Sequence, residues 1–295
     1  MSRDQASPCD TQEPEGISET EAETVEERSR LPAPLIYEIV RRMGRRRWNG
    51  RSLRCGGRVS PPACRSASPC SFSLLAQAIL QAHLPDTLWR PLLTSLGYPV
   101  GFLIVVLACQ QLFTENTITP VLPLAANFTA ANLAKLARLW TIVFAANMTG
   151  TAAAAVFCTL PPVLAPELRD VMIDISRHIL QTSWIESFFR AISAGFLIAA
   201  MVWLIPSGEA AAFHVIAMMT YLIGIGGFLH IIAGSVEAFL LVANGQLGLG
   251  DMMVSFVLPV LLGNIVGGTA LFTLMLHAQV MSEIPTPPDR PRPPP

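Results

Sequence analysis

The sequence predicts an all-α membrane protein of six transmembrane helices, arranged as two inverted three-helix repeats whose second and fifth helices are broken. The first observation is composition, since 52% of the 295 residues are hydrophobic and 14% are charged. Residues 71–282 hold only 15 charged side chains. Apolar runs of about 20 residues recur there between turn signals, as helices that cross a bilayer require. The second observation is that two polar motifs recur in the two halves of this region.

Six apolar spans follow from these runs and from the residues that interrupt them. Prolines close three of the spans, at Pro85, Pro161 and Pro206, because proline cannot continue a helix pattern. The second span is broken by the polar run 114–117 and the fifth is broken near residues 230–235. The predicted spans are 71–84, 96–124, 136–160, 186–205, 210–229 and 252–276.

Residues 167–180 predict a different kind of helix, between spans three and four. Apolar side chains recur there at helical spacing opposite charged ones, and Pro166 suits the first turn. The apolar positions are Leu168, Val171, Met172, Ile175 and Ile179. The segment is therefore either an interfacial helix that leads into span four or a solvated loop helix.

The segments outside the channel domain (residues 71–280) differ in composition. Residues 1–40 predict a disordered acidic tail and residues 281–295 a Pro-rich tail. Residues 41–70 hold nine basic residues, three cysteines and no acid. Span one covers only about 21 Å as a helix, whereas the hydrocarbon core is about 30 Å thick. Two interpretations stay open for 41–70: a native basic cytoplasmic segment, or two compensating frameshifts that replaced half of span one.

An internal repeat relates the two broken spans. Thr114 in the first break and His230 in the second are 116 positions apart. The motif Asn147-Met148-Thr149-Gly150 precedes Asn264-Ile265-Val266-Gly267 by 117 positions. Two correspondences at nearly the same offset predict two halves of three spans that enter the membrane from opposite sides. Asn147, Gly150, Asn264 and Gly267 are also explained by close helix packing, which small residues permit.

Four stretches together carry a family resemblance over about residues 72–280. They are Leu112-Phe113-Thr114-x-Asn116, Phe189-Arg190-Ala191-Ile192, Gly227-Phe228-Leu229-His230 and Gly263-Asn264-Ile265-Val266-Gly267-Gly268. With these stretches the chain resembles the formate/nitrite transporter family, and in particular its less studied members with long acidic N-terminal tails. The resemblance implies an aquaporin-like fold, a homopentamer with one pore per protomer, apolar constrictions on both sides of a central histidine, and a bacterial inner membrane location with cytoplasmic termini.

The resemblance also includes three departures. Family channels for formate place Glu before the central histidine and Asn four positions after it, where this chain has Leu229 and Gly234. A family Asn in span four corresponds to Gly195 here. These smaller or less polar residues predict a roomier and less polar pocket.

The residues of the predicted solute pathway have distinct roles. Leu112 and Phe113 would form a gate, and Thr114 with His230 a polar waist between gates. An imidazole titrates near pH 6.5, so His230 could exchange a proton with a weak-acid anion. The alternative is that His230 only satisfies a neighbouring backbone carbonyl in a packed core. The predicted pathway residues are Leu112, Phe113, Thr114, Asn116, Arg190, Leu229 and His230.

Two acids in the broken spans need an explanation, because an ionised carboxylate there would repel an anion. Glu115 and Glu237 must be protonated, paired or turned toward water. Arg190 is the predicted partner for one of them, or else it faces the external vestibule and concentrates anions. Positive-inside counting of Lys135 and Arg138 supports cytoplasmic termini.

The predicted function is a transmembrane channel for small monovalent weak-acid anions. An aquaporin-like channel for neutral solutes and a non-transporting membrane scaffold are the alternatives. The long apolar region excludes a soluble enzyme, and no nucleophile motif is present. A net charge of −1 offers no basic surface for nucleic acid. The expected partners are the bilayer, a small anionic solute and further copies of the chain, with no cofactor and no metal.

Overall fold

The computed structural model describes residues 31–48 and 68–283, and all regular secondary structure within them is helical. The first helix, α1 (Ala33–Trp48), buries Ile36, Val40 and Gly44 on one side. This helix crosses the boundary expected at residues 40/41, so the predicted disordered tail is wrong for 33–40. The predictions for the remainder of the two tails and of the basic segment fall on residues 1–30, 49–67 and 284–295. These residues lie outside the described part of the chain.

The first repeat contains spans one to three. Span one is a 3₁₀ turn, Ser68–Cys70, followed by α2, and α2 remains as short as the sequence predicted. Span two consists of α3 and α4, a break, the 3₁₀ turn Thr114–Thr117 and α5. Span three is the long helix α6. The helices are α2 (Ser71–His83), α3 (Arg90–Thr94), α4 (Tyr98–Leu107), α5 (Val121–Ala126) and α6 (Ala130–Thr159).

The connection between the repeats is α7 (Pro166–Ser176) with the short α8 (His178–Gln181). Pro166 occupies the first turn, as the sequence predicted. The apolar face buries Met172, Ile173 and Ile179, and it packs on α2 and α11, defined below by residues Ile231–Ala243. The predicted amphipathic helix is therefore present, and protein covers much of its apolar face.

The second repeat contains spans four to six. Span five is broken between α10 and α11, and span six is one continuous helical rod that includes two π-helical stretches. The elements are α9 (Trp184–Leu204), α10 (Ala212–Ile225), α11 (Ile231–Ala243), α12 (Leu249–Asp251), the π-helical Met252–Val257, α13 (Leu258–Ile265), the π-helical Val266–Leu274 and α14 (Met275–Glu283).

Within the described part of the chain, four helical stretches are long and apolar enough to cross a membrane: Arg90–Leu107, Ala130–Thr159, Trp184–Ser207 and Leu249–Val280. The apolar helices α10 and α11 are shorter, with 14 and 13 residues. At 1.5 Å per residue each reaches about 20 Å, so the two halves together make one crossing.

Glycines allow a close contact between α9 and span six, at α13 and the π-helical stretch after it. A Cβ at Gly263 would lie 2.6 Å from the Cβ of Ala191. A Cβ at Gly195 would overlap the backbone carbonyl of Asn264, and one at Gly267 would overlap the carbonyl of Ile192. Small residues four apart permit such backbone approach between apolar helices. Gly195 therefore opens no extra pocket space, and the expectation of a roomier pocket is wrong at this position.

Candidate functional site

The break in span two is closed by one side chain from span three. Asn147 of α6 accepts the backbone N–H of Phe113 at 2.8 Å and donates to the carbonyl of Gln111 at 2.9 Å. A broken helix leaves backbone groups without partners, and such groups are costly away from water. Asn147 is fully buried, so its amide replaces the missing helical hydrogen bonds.

The break in span five is closed in the same way from span six. Asn264 accepts the N–H of Ile231 at 2.8 Å and donates to the carbonyl of Leu229 at 2.9 Å. It also donates to the carbonyl of Ala191 on α9 at 2.7 Å. The repeat relates these two asparagines in the sequence, but their backbone role was not predicted. The signal for it is their spacing of 117 positions, which nearly equals the 116 positions between Thr114 and His230 in the two breaks.

The glycines of the two repeated motifs serve packing. Gly150 is buried on α6, and Gly267 lies directly against the backbone of Ile192. In the second motif the glycine therefore brings the helices together, while the asparagine closes the break.

Thr114 and His230 meet between the two breaks, with Thr114 Oγ1 2.7 Å from His230 Nε2. Both side chains are buried. His230 is also the N-cap of α11, because its Nδ1 lies 3.2 Å from the backbone nitrogen of Ala233. A backbone N–H can only donate, so Nδ1 accepts and the proton of the neutral ring is on Nε2. His230 then donates to Thr114.

This geometry bears on the two predicted roles of His230, which are proton exchange with a solute and a hydrogen bond in a packed core. The ring satisfies a backbone N–H, whereas the core interpretation expected a carbonyl. The edge-to-face ring of Phe102, 4.9 Å away between centroids, covers it. A second proton would have to go on Nδ1, where it would displace the hydrogen bond from Ala233. The N-cap therefore favours the neutral imidazole.

Apolar side chains lie beside this polar pair in both repeats. Leu112 and Phe113 precede Thr114, Leu229 precedes His230, and all three are buried. Phe113 packs edge-to-face on Trp140 and Phe144 of α6. The polar pair therefore has buried apolar side chains next to it in both repeats.

A cavity of about 180 Å³ reaches His230 from the side of α7 and α8. We call it the histidine cavity. Its lining residues are Gln77, Tyr98, Ile175, His178, Ile223, Gly224, Gly227, Phe228, Leu229, His230, Gly234 and Glu237. A Cβ at Gly234 would lie 2.6 Å from the ring of Phe256, so that ring occupies the space that the missing asparagine was expected to leave.

Glu115 has a partner that the sequence did not indicate. Arg47, at the end of α1, lies 3.2 Å from a carboxylate oxygen of Glu115. Its guanidinium also donates to Asn116 Oδ1 at 2.8 Å and to Thr119 Oγ1 at 3.0 Å. Both charged side chains are more than nine-tenths buried. Asn116 thus anchors α1 to the first break.

Arg190 partners neither of the two acids. It forms an ion pair with Glu186 on its own helix at 2.6 Å, and both side chains are 44% exposed. Its guanidinium lies near Gly227 at the second break. The prediction that Arg190 pairs with Glu115 or Glu237 is wrong, because the i,i+4 spacing on α9 offers a nearer carboxylate.

Glu237 faces the histidine cavity on α11. One of its oxygens, Oε2, is 3.5 Å from His178 Nδ1 and has no hydrogen-bond partner among the described residues. The same His178 nitrogen is 2.9 Å from the carbonyl oxygen of Ile175. Because a carbonyl oxygen can only accept, Nδ1 of His178 carries a proton and donates it to this carbonyl. Among the described residues, no three His, Cys, Asp or Glu side chains group as a metal site would require.

Two broken helices that meet at a buried polar pair, each from one half of an inverted repeat, define the fold of a membrane transport protein. The family model described as "Formate/nitrite transporter" matches residues 65–278. The chain belongs to the formate/nitrite transporter family, whose members are transporters and channels and not enzymes.

Individual relatives agree with this assignment. The chain is 45% identical over 212 residues to the inner membrane protein YfdC of Escherichia coli, covering 72% of this chain and 68% of YfdC. A solved pentameric formate channel with formate bound superposes with a TM-score of 0.61 at 21% identity, covering 73% of this chain and 95% of that one. An ion channel of the same family superposes with a TM-score of 0.63 at 17% identity, covering 86% and 98%. These structures show that the fold is shared.

Proposed function

We propose that each protomer is a channel for small monovalent weak-acid anions of the formate and nitrite kind. The observation that carries this proposal is the hydrogen bond between Thr114 and His230 at the meeting point of the two breaks. Thr114 and His230 form the polar waist of the pathway. Leu112, Phe113 and Leu229 form the apolar gates beside it.

The electrostatics of the second break favour an anionic solute. The 13-residue helix α11 begins beside His230, and a helix N-terminus carries partial positive charge. Transfer of an anion into hydrocarbon is costly, so a positive helix end at this point lowers the barrier. Arg190 is half-exposed near Gly227 and paired with Glu186, so it would attract anions to the front of this break when that pair opens.

We further propose a homopentamer in the bacterial inner membrane. A formate channel of the same fold is described as pentameric, and YfdC is described as an inner membrane protein. Large apolar side chains are exposed on the outer faces of the helices, among them Phe157, Phe189, Val254 and Met275. Such faces require lipid or neighbouring protomers. Lys135 and Arg138 favour cytoplasmic termini.

Uptake into proteoliposomes tests the proposed function. Formate, nitrite, acetate and hydrosulfide are offered at two pH values, with a neutral solute of similar size as a control. Selective uptake of the weak acids is the expected result. Neutral-solute flux alone would favour an aquaporin-like channel, and no flux from an assembled oligomer would favour a scaffold.

A variant series at the polar pair sharpens this test. His230→Ala and His230→Phe remove the imidazole without adding charge, so we expect a loss or strong change of anion selectivity in an oligomer that still assembles. His214→Ala is the matched control, because His214 lies on α10 away from the breaks. Unchanged selectivity in both His230 variants would contradict a pathway through this residue.

A further inference from the structure

The buried acid of the histidine cavity has no part in the pathway described so far. Glu237 lies seven residues after His230 on α11, about 10 Å along the helix. Gly234 lies between them, and all three line the histidine cavity. The side chain of Glu237 is 9% exposed, and its Oε2 lacks a hydrogen-bond partner among the described residues. A buried unpaired oxygen of this kind is costly unless a ligand or a proton satisfies it.

No fixed positive charge compensates Glu237 within this cavity. Among the described lining residues there is no Lys or Arg. The ionisable groups that share the cavity are the phenol of Tyr98 and the imidazoles of His178 and His230. On the packed elements, α2 ends with His83, α6 carries Cys158, and α7 with the following turn carries the exposed pair Asp174 and Arg177. Arg177 is bound by Asp174 and Gln246. Arg190, whose guanidinium lies near the lining residue Gly227, is paired with Glu186, so both arginines are engaged elsewhere.

His230 is poorly placed to supply a proton. Its Nδ1 accepts the N–H of Ala233, and its only ring proton is donated to Thr114. Donation of that proton to a solute would leave an imidazolate. A weak-acid anion in the cavity therefore needs another acid, and Glu237 is the carboxyl group there.

We propose that Glu237, assisted by His178, protonates the weak-acid anion in the histidine cavity before it passes Leu229 and His230. The inference rests on the proposed function. The O–H bond of the Glu237 carboxyl breaks as a bond forms between that proton and the anionic atom of the solute. The neutral acid moves on, and the carboxylate regains its proton from hydronium in the water on the α7 and α8 side. Between these two steps the Nδ1–H dipole of His178, which donates to the carbonyl of Ile175 and lies 3.5 Å from Oε2, stabilises the carboxylate electrostatically.

The experiment compares Glu237→Gln with the full-length protein in proteoliposomes, using nitrite and formate. Glutamine keeps the size of the side chain and removes the transferable proton. We expect wild-type uptake to rise as the pH falls, and the variant to lose this dependence together with about tenfold of its rate or more, as the loss of a general acid implies. Asp86→Asn is the matched control, because the side chain of Asp86 is 90% exposed in the turn after α2 and does not line the histidine cavity, so this variant should behave as wild type.

Two further measurements keep the inference testable if Glu237→Gln does not assemble. In right-side-out and everted vesicles of wild-type protein, acidification of the α7 and α8 side should accelerate uptake more than acidification of the opposite side. His178→Gln, at a half-exposed position, should move the midpoint of the pH profile while flux persists. Equal pH response from both sides, or an unchanged profile in Glu237→Gln, overturns the role of Glu237. Absence of weak-acid flux in the wild type instead overturns the proposed function.

Discussion

Asn147 and Asn264 occupy equivalent places in the two halves of the protein and make the same two backbone hydrogen bonds, one on each side of a broken helix. Each Asn belongs to the third span of its repeat and reaches into the second. The breaks, which place Thr114 beside His230, are thus held by the neighbouring helix. Both asparagines should matter for stability as well as for transport.

Replacement of either asparagine by alanine leaves a buried backbone N–H and a carbonyl unpaired. Each unpaired group costs about 1–3 kcal/mol. We expect Asn264→Ala to lower stability more than Asn147→Ala, since Asn264 also binds the carbonyl of Ala191. Thermal unfolding in detergent measures this. Asn132→Ala, which removes a solvent-exposed hydrogen bond to the carbonyl of Asn127, is the control, and equal melting of all three variants would contradict the role of the breaks.

Thr114→Val tests the polar pair with little change in shape. The substitution removes the acceptor of the His230 Nε2 proton and leaves a buried donor unpaired, at about 1–3 kcal/mol. We expect lower stability and reduced anion flux, with partial recovery in Thr114→Ser. Thr141→Val on the exposed side of α6 should leave both properties unchanged. Wild-type flux in Thr114→Val would show that the hydroxyl is not part of the pathway.

The ion pair of Arg47 and Glu115 tests the attachment of α1. Loss of one partner of a buried pair costs about 3–5 kcal/mol, whereas replacement of both partners costs less. Arg47→Met should therefore destabilise the protein more than the double variant Arg47→Met/Glu115→Gln. Arg42→Met breaks a surface pair with Glu38 and should cost about 1 kcal/mol or less. Additive effects of Arg47→Met and Glu115→Gln would show that the two side chains do not interact.

Gly195→Ala tests the contact of α9 with α13. The added methyl group would overlap the carbonyl of Asn264, and overpacking of this kind typically costs about 1–3 kcal/mol. We expect a lower melting temperature. Gly250→Ala is the matched control, because a Cβ there meets nothing within 4 Å. If both variants melt alike, the close approach of the two helices is not made in solution.

The arginine-rich segment can now be divided. Residues 41–48 belong to α1, and Arg47 within them binds Glu115, Asn116 and Thr119. Because Arg47 makes these specific contacts in the fold, residues 41–48 are better explained as native sequence than as a frameshifted segment. The frameshift interpretation then concerns the residues after 48, up to the short helix α2. Resequencing that interval tests it, and it predicts an alternative frame that encodes an apolar stretch without stops.

The sequence by itself determined the six spans, their two breaks and the repeat, because apolar runs and polar interruptions are local patterns that depend on the bilayer alone. It also placed Thr114 and His230 in equivalent breaks. Only the tertiary structure decided two of the partners: Arg47 for Glu115, and Asn264 for the backbone around Leu229. Such pairings depend on which helix faces approach each other in three dimensions. The tautomer of His230 likewise follows from the backbone N–H of Ala233, a donor that only the folded N-terminus of α11 presents.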